Sequence, residues 1–256
     1  MKKEVLIIAG IVVFLLLFRK KKNIDNTMPE ETINENKEEL SDVLLFNKMM
    51  KDAGIKNRFA RWAIMCIIGK ESGFKPIIER CYNNTSAFRI KKIFVSRLGG
   101  KNDAFIDQLK KDCKAFFNYV YGYPGNDLDN IPGTNDGYNF RGRGLNQLTG
   151  RGNYKHFGDK LDLDLINNPE LVNVSPNYFA IAILFFIETA NSNAGKSTLK
   201  NRLGISSIND FTDIDGAIHF FANANAGIGY SWNANNVLNA VIQANKNKTK
   251  YKLLSL

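Results

Sequence analysis

Residues 59–70 read FARWAIMCIIGK, a helical stretch that is apolar nearly all round. Such a helix has no face to show to water, so the rest of the fold must enclose it. A second apolar run, YFAIAILFFI at 178–187, has ten residues, too few to span a bilayer, and reads as a buried core helix. Alternation of the strand type never lasts beyond a few residues, so the pattern predicts a mostly helical domain. Asn57 is placed to cap the 59–70 helix. Ser41 is placed to cap an earlier one carrying Val43, Leu44, Phe46 and Met50 and closed by Gly54. A third helix is predicted over 103–120, with Phe105, Leu109, Cys113, Phe116 and Val120 on one stripe. Residues 121–140, rich in Gly, Pro, Asn and Asp, read as loop. Near the C-terminus, Phe220 and Phe221 lead into the Asn/Gly-rich FANANAGIG, and a last helix runs through Val237, Leu238 and Val241.

The N-terminus is of a different character. Val5 to Phe18 is unbroken apolar sequence between Lys2-Lys3 and Arg19-Lys20-Lys21-Lys22. Its length as a helix is about 21 Å, which snorkelling lysines extend toward the thickness of a bilayer. The basic cluster after the run, with no small-residue cleavage site before it, favours an uncleaved single-pass anchor over a signal peptide. Residues 23–40 are polar and acidic and read as a flexible linker. The expected organisation is therefore an anchor with a basic flank (1–22), a linker (23–40) and a globular domain (41–256). The heavier positive flank follows the span, so the positive-inside rule puts that domain on the cytoplasmic side. The membrane expected is a bacterial inner membrane or that of a phage particle.

Charge narrows the partners. Residues 1–40 hold seven basic and seven acidic side chains, so the whole net charge of +10 belongs to the remainder. A field of that sign favours polyanions: nucleic acid, an acidic membrane surface or the anionic bacterial wall. No zinc-finger spacing or basic motif interleaved with aromatics points to nucleic acid, and none is expected as a partner. The three cysteines Cys66, Cys81 and Cys113 give no disulfide framework, and Cys66 and Cys113, inside apolar helical patterns, are expected to be buried free thiols. His156 and His219 share no metal-ligand spacing.

Two carboxylates are candidates for chemistry. Glu71 ends the central apolar helix, where partial desolvation suits a group that must hold a proton as an acid. Glu79 lies eight residues on, and glycoside cleavage needs such a second carboxylate. Taken alone, each also reads as an ordinary charge: Glu71 as an exposed helix end, Glu79 as a surface partner of Arg80. Residues 142–154, GRGLNQLTGRGNY, add glycines that permit close approach of a polymer, and uncharged hydrogen-bonding groups at Gln147, Thr149 and Asn153. A phosphate-binding loop is excluded there, because the GK[ST] ending and a preceding strand are both missing.

These segments together resemble the family-19 glycoside hydrolases, the plant-type chitinases and related phage and bacterial endolysins, over about residues 41–245. Phage-type members have a helix ending in His-Glu-Ser-Gly, a Glu before an Asn/Tyr-rich turn, a long Arg-Gly-Arg-Gly-Leu-x-Gln-Leu-Thr-Gly-x-x-Asn-Tyr segment, and Asn-Pro-Glu-Leu. Here the matching residues are Lys70-Glu71-Ser72-Gly73, Glu79 before CYNNTSA, FRGRGLNQLTGRGNY, and Asn168-Pro169-Glu170-Leu171. The resemblance implies a lysozyme-like, two-lobed helical domain with a central buried helix and a substrate cleft. It implies Glu71 as general acid, Glu79 as general base, and Thr149 as the hydroxyl that helps hold the attacking water. Gln147, Asn153, Tyr154 and Asn223 (or Asn225) fall on substrate-binding positions. No metal or other cofactor is implied. The implied reaction is inverting cleavage of β-1,4 bonds in peptidoglycan, with chitin cleavage or lytic transglycosylation as alternatives. A catalytically weak wall-binding or structural virion membrane protein is the non-enzymatic alternative. The expected partners are the glycan strands of the wall, and a lipid bilayer through residues 5–18. The chain departs from the pattern at Lys70, where the family has His.

Overall fold

A computed structural model describes residues 35–125, 127–228 and 231–255. In chain order its elements are α1 (Glu35–Asp52), α2 (Arg58–Glu71), β1 (Ile77–Ile78), α3 (Ala87–Ile93), α4 (Val95–Leu98), α5 (Asp103–Leu109), α6 (Cys113–Tyr121), α7 (Asp136–Asn139), β2 (Arg143–Gly144), α8 (Arg151–Leu161), α9 (Asn177–Asn191), α10 (Asn193–Leu203), α11 (Ile214–Gly227), α12 (Asn235–Asn245) and α13 (Lys248–Tyr251). The protein is mostly helical, as its periodicity predicts. Among the described residues no helix is long and apolar enough to cross a membrane; the run Val5–Phe18 lies outside them. Helix α1 starts at Glu35, so residues 35–40 are helix where the sequence suggested linker, and Ser41 lies inside a helix instead of capping one. The physical reason is that Glu-Asn-Lys-Glu-Glu-Leu consists mainly of strong helix formers, and low hydrophobicity alone does not break a helix.

The described residues divide into two compact units, those of 35–75 with those of 175–255, and those of 76–174. The first is built on α2. Asn57 caps it, accepting from the backbone N–H groups of Phe59 and Ala60 at 2.8 and 3.1 Å. Residues 60–68 are all buried, and α1, α11, α12 and α13 pack around them. Gly69 is required by this packing, since a Cβ there would lie 2.5 Å from the Tyr251 hydroxyl. Phe46 meets Phe74 and Phe179, and Phe74 meets Tyr251. Each such fully buried ring stabilises the fold by about 2 kcal/mol. The run 178–187 forms the buried centre of α9, as predicted. FANANAG is helical through Gly227, so Asn223 and Asn225 are on a helix and not in a loop.

The second unit packs Ala87, Ile90, Phe94, Leu98, Ile106, Phe116, Phe117 and Val120 into one core, with Tyr82 and Tyr121 against it. The single helix predicted over 103–120 is two, α5 and α6. Asp112 breaks it: its side chain accepts from the N–H groups of Lys114 and Ala115, restarting the helix in a new direction. The cysteine expectation is also corrected. Cys66 is a buried free thiol, but Cys81 and Cys113 are disulfide-bonded, with Cα atoms 5.2 Å apart. Cys113 is the first residue of α6, and that start brings it to the turn carrying Cys81, a juxtaposition that 32 residues of separation conceal. Two short strands complete the unit: β1 and β2 pair antiparallel, Ile77 opposite Gly144 and Ile78 opposite Arg143.

Candidate active site

Glu71 is the last residue of α2, half-buried, with 30% of its side chain exposed. Its Oε1 accepts from the Nζ of Lys70 in an ion pair, and from the Nδ2 of Asn225 on α11 at 3.0 Å. Glu71 is therefore not the exposed helix end that composition alone allowed. Lys70, which departs from the family pattern, is its direct neighbour in space. Asn223, the residue favoured for substrate binding, is only 1% exposed and faces the core of the first unit. Burial speaks against that placement for Asn223, and of the two asparagines Asn225 is the one bonded to Glu71. Two residues on a helix point about 200° apart, so only one of the pair reaches the carboxylate.

Glu79 is held in the second unit by the continuation of the β1–β2 pair. Its backbone N–H donates to the Gly142 carbonyl at 2.8 Å, and the Gly142 N–H donates back to Oε2 at 3.2 Å. The Tyr82 hydroxyl donates to Oε1 at 3.0 Å. The Tyr121 hydroxyl donates to Oε1 and Oε2 at 3.0 and 3.2 Å. Burial pushes the Glu79 carboxyl above the ordinary glutamate value. The Gly142 N–H, the two tyrosine hydroxyls and the Arg141 guanidinium work against that rise without cancelling it. Burial beside this carboxylate raises both tyrosine hydroxyls as well, so they stay protonated donors. Glu79 is thus a partly buried, hydrogen-bonded carboxylate and not a surface charge paired with Arg80.

The glycine-rich segment folds back on Glu79. A Cβ built on Gly142 would lie 2.8 Å from Gln147 Oε1, 3.4 Å from Glu79 Oε2 and 3.4 Å from Thr149 Oγ1. A side chain at 142 would push the Gln147 amide oxygen away from this point and touch the other two groups. Gln147 takes φ +54° and donates from Nε2 to the carbonyls of Ile77 and Gly144, at 3.1 and 3.3 Å. Its amide nitrogen is therefore engaged with the strands, and its oxygen faces Gly142. The Thr149 hydroxyl donates to the Gln147 carbonyl at 2.8 Å, and the exposed Asn153 donates to the Thr149 carbonyl at 2.7 Å.

Tyr154 is corrected from substrate contact to support. Its ring is 0% exposed, and its hydroxyl donates to the Arg141 carbonyl at 2.9 Å while accepting from Arg143 at 3.0 Å. Arg143, 1% exposed, also donates to the Asn139 carbonyl at 2.5 Å and pairs with Glu170 at 2.7 Å. Gly144 donates to Asn173 at 2.9 Å. These bonds tie the start of the segment 142–154 to Glu170 and Asn173, which brace it. Tyr82, Tyr121 and Arg143 were not singled out by sequence. Tyr82 follows Glu79 by three residues and was findable, whereas Tyr121 carries no local signal at all.

No protein-family model matches the chain, and no curated protein matches it.

Proposed function

We propose that the protein is a glycoside hydrolase that cuts the β-1,4 bonds of bacterial peptidoglycan with inversion. Glu71 is the acid that protonates the leaving oxygen, and Glu79 is the base that activates water. Thr149 helps to hold that water, and Gln147, Asn153 and Asn225 bind sugar. The reading takes the fold as lysozyme-like, with two carboxylates that divide the acid and base work of an inverting cleavage. The observation that carries it is the convergence of Glu79, Gln147 and Thr149 on the bare Cα of Gly142. Residues separated by up to 70 positions form one polar cluster, and they are the residues that the motif resemblance names. The net charge of +10 favours the anionic wall over neutral chitin. Residues 5–18 serve as a single-pass anchor in this reading, in a bacterial inner membrane or the membrane of a phage particle.

A second reading, a wall-binding or structural membrane protein with a catalytically weak domain, draws on one observation. The Lys70–Glu71 ion pair uses Glu71 as an anion, whereas an acid must carry a proton. A zymogram of the full-length protein on purified peptidoglycan, run at several pH values beside Glu71→Gln, separates the two. Clearing by the unmutated protein alone supports the hydrolase. No clearing at any pH favours the second reading, and equal clearing by both removes Glu71 from the chemistry.

A further inference from the structure

Between Glu79 and Asp103 the sequence contains no acidic residue and six basic ones: Arg80, Arg89, Lys91, Lys92, Arg97 and Lys101. Six of the ten net positive charges therefore sit in residues 80–102, which form the α3–α4 corner of the second unit. The apolar residues of this corner fall into two sets. Ala87, Ile90, Phe94 and Leu98, at the spacing of one helical face, enter the core. Phe88, Ile93 and Val95 do not: they are 66%, 47% and 66% exposed. Phe88 lies under the Lys92 ammonium, 4.2 Å from ring centroid to Nζ. Asp103, from the start of α5, pairs with Lys91 at 2.5 Å. Arg89 and Lys92 are themselves exposed.

We infer that the α3–α4 corner is a docking face for an anionic lipid bilayer, with Phe88, Ile93 and Val95 entering the interface and the surrounding cations meeting the headgroups. Charge complementarity alone would also fit a soluble polyanion. Three large apolar side chains held in water next to those charges would not, because a phosphate polymer offers them no apolar surface, whereas the acyl boundary of a bilayer does. Lys and Arg stems suit this boundary, since their methylenes lie along the acyl region while the charge stays in the headgroup layer. Docking by this corner requires neither the hydrolase reading nor residues 5–18.

The test uses full-length protein reconstituted into vesicles, with an environment-sensitive fluorescent amino acid at position 88 and, separately, at the exposed position 200 as control. In vesicles of phosphatidylcholine with phosphatidylglycerol, the probe at 88 should shift to the blue and be quenched by brominated acyl chains. It should stay water-like in phosphatidylcholine alone and at high salt, and the probe at 200 should not respond. Each cation near an anionic surface changes partition about fivefold, so Arg89→Gln with Lys92→Gln should weaken the docked population about 25-fold. A water-like probe at 88 on anionic vesicles, or the same response with and without phosphatidylglycerol, would overturn the inference. So would a response to purified anionic wall polymer but not to vesicles.

Discussion

The Tyr121 hydroxyl bridges both carboxylate oxygens of Glu79, at 3.0 and 3.2 Å, across 42 residues of sequence. Such a donor favours the ionised carboxylate. Burial has the opposite and larger effect on Glu79. Under the proposed role Glu79 must be ionised to act, so activity should rise with pH through an acidic limb above the ordinary glutamate range. Tyr121→Phe removes the bridge and leaves burial in place, so the limb should move about one pH unit higher while activity on the alkaline side of it is retained. The pH profile of wall digestion checks this. A limb that stays where it was would mean that Tyr121 does not act through Glu79.

The raised pKa of Glu79 also makes stability depend on pH. A carboxyl whose pKa is raised by folding binds its proton more tightly in the folded state. Ionising it therefore costs stability, on the order of 1 kcal/mol for every tenfold gain in proton affinity on folding, as pH climbs from the unfolded-state value through the folded-state value. The stability of the unmutated protein should fall relative to Glu79→Gln over that window and run parallel to it at lower pH. Urea denaturation at a series of pH values measures the difference. A gap that widens in the other direction would contradict the burial account.

Disulfide Cys81–Cys113 closes a loop between the turn after Glu79 and the helix that delivers Tyr121. A loop of 32 residues gives about 3.7 kcal/mol of stabilisation by chain entropy. Cys113→Ser should cost that order of stability in chemical denaturation. Alkylation of the denatured, unreduced protein should find one thiol, Cys66, and three after reduction. Three thiols before reduction, in protein taken from its native location, would place the domain on a reducing side. One would agree with the oxidising side on which wall enzymes work, against the sidedness that the flanking lysines suggest.

Asn223 and Asn225 stand two residues apart in different surroundings, the first buried and the second bonded to Glu71. Under the proposed hydrolase role, Asn225→Ala should reduce kcat about tenfold, roughly 1.4 kcal/mol, with little effect on the melting temperature. Asn223→Ala should lower stability by about 1–3 kcal/mol through its buried amide. Equal effects on activity from both would remove the distinction.

Much of the fold was legible in the chain. The all-apolar 59–70 segment, its Asn57 cap and the 178–187 run appear as the buried helices they suggest, because their burial follows from composition alone. What was not legible depended on partners distant in sequence. A two-residue strand has no period to detect, Tyr121 has no local relation to Glu79, and Cys113 meets Cys81 only because Asp112 breaks a helix. Within the candidate site, Glu79, Gln147 and Thr149 come together at Gly142. Tyr154 lies in the motif too, but packing turns it into the core, as it does Asn223 on its helix. A motif gives residue type and spacing; it does not give the direction in which a side chain points.

If Glu71 and Glu79 hydrolyse glycan with an activated water, the products report it most directly. Mass analysis of fragments released from purified peptidoglycan by the full-length protein should show hydrated reducing ends, lost with either Glu71→Gln or Glu79→Gln. Anhydro ends, with Glu79→Gln still active, would contradict the two-carboxylate scheme and indicate a transglycosylase that needs no base for water.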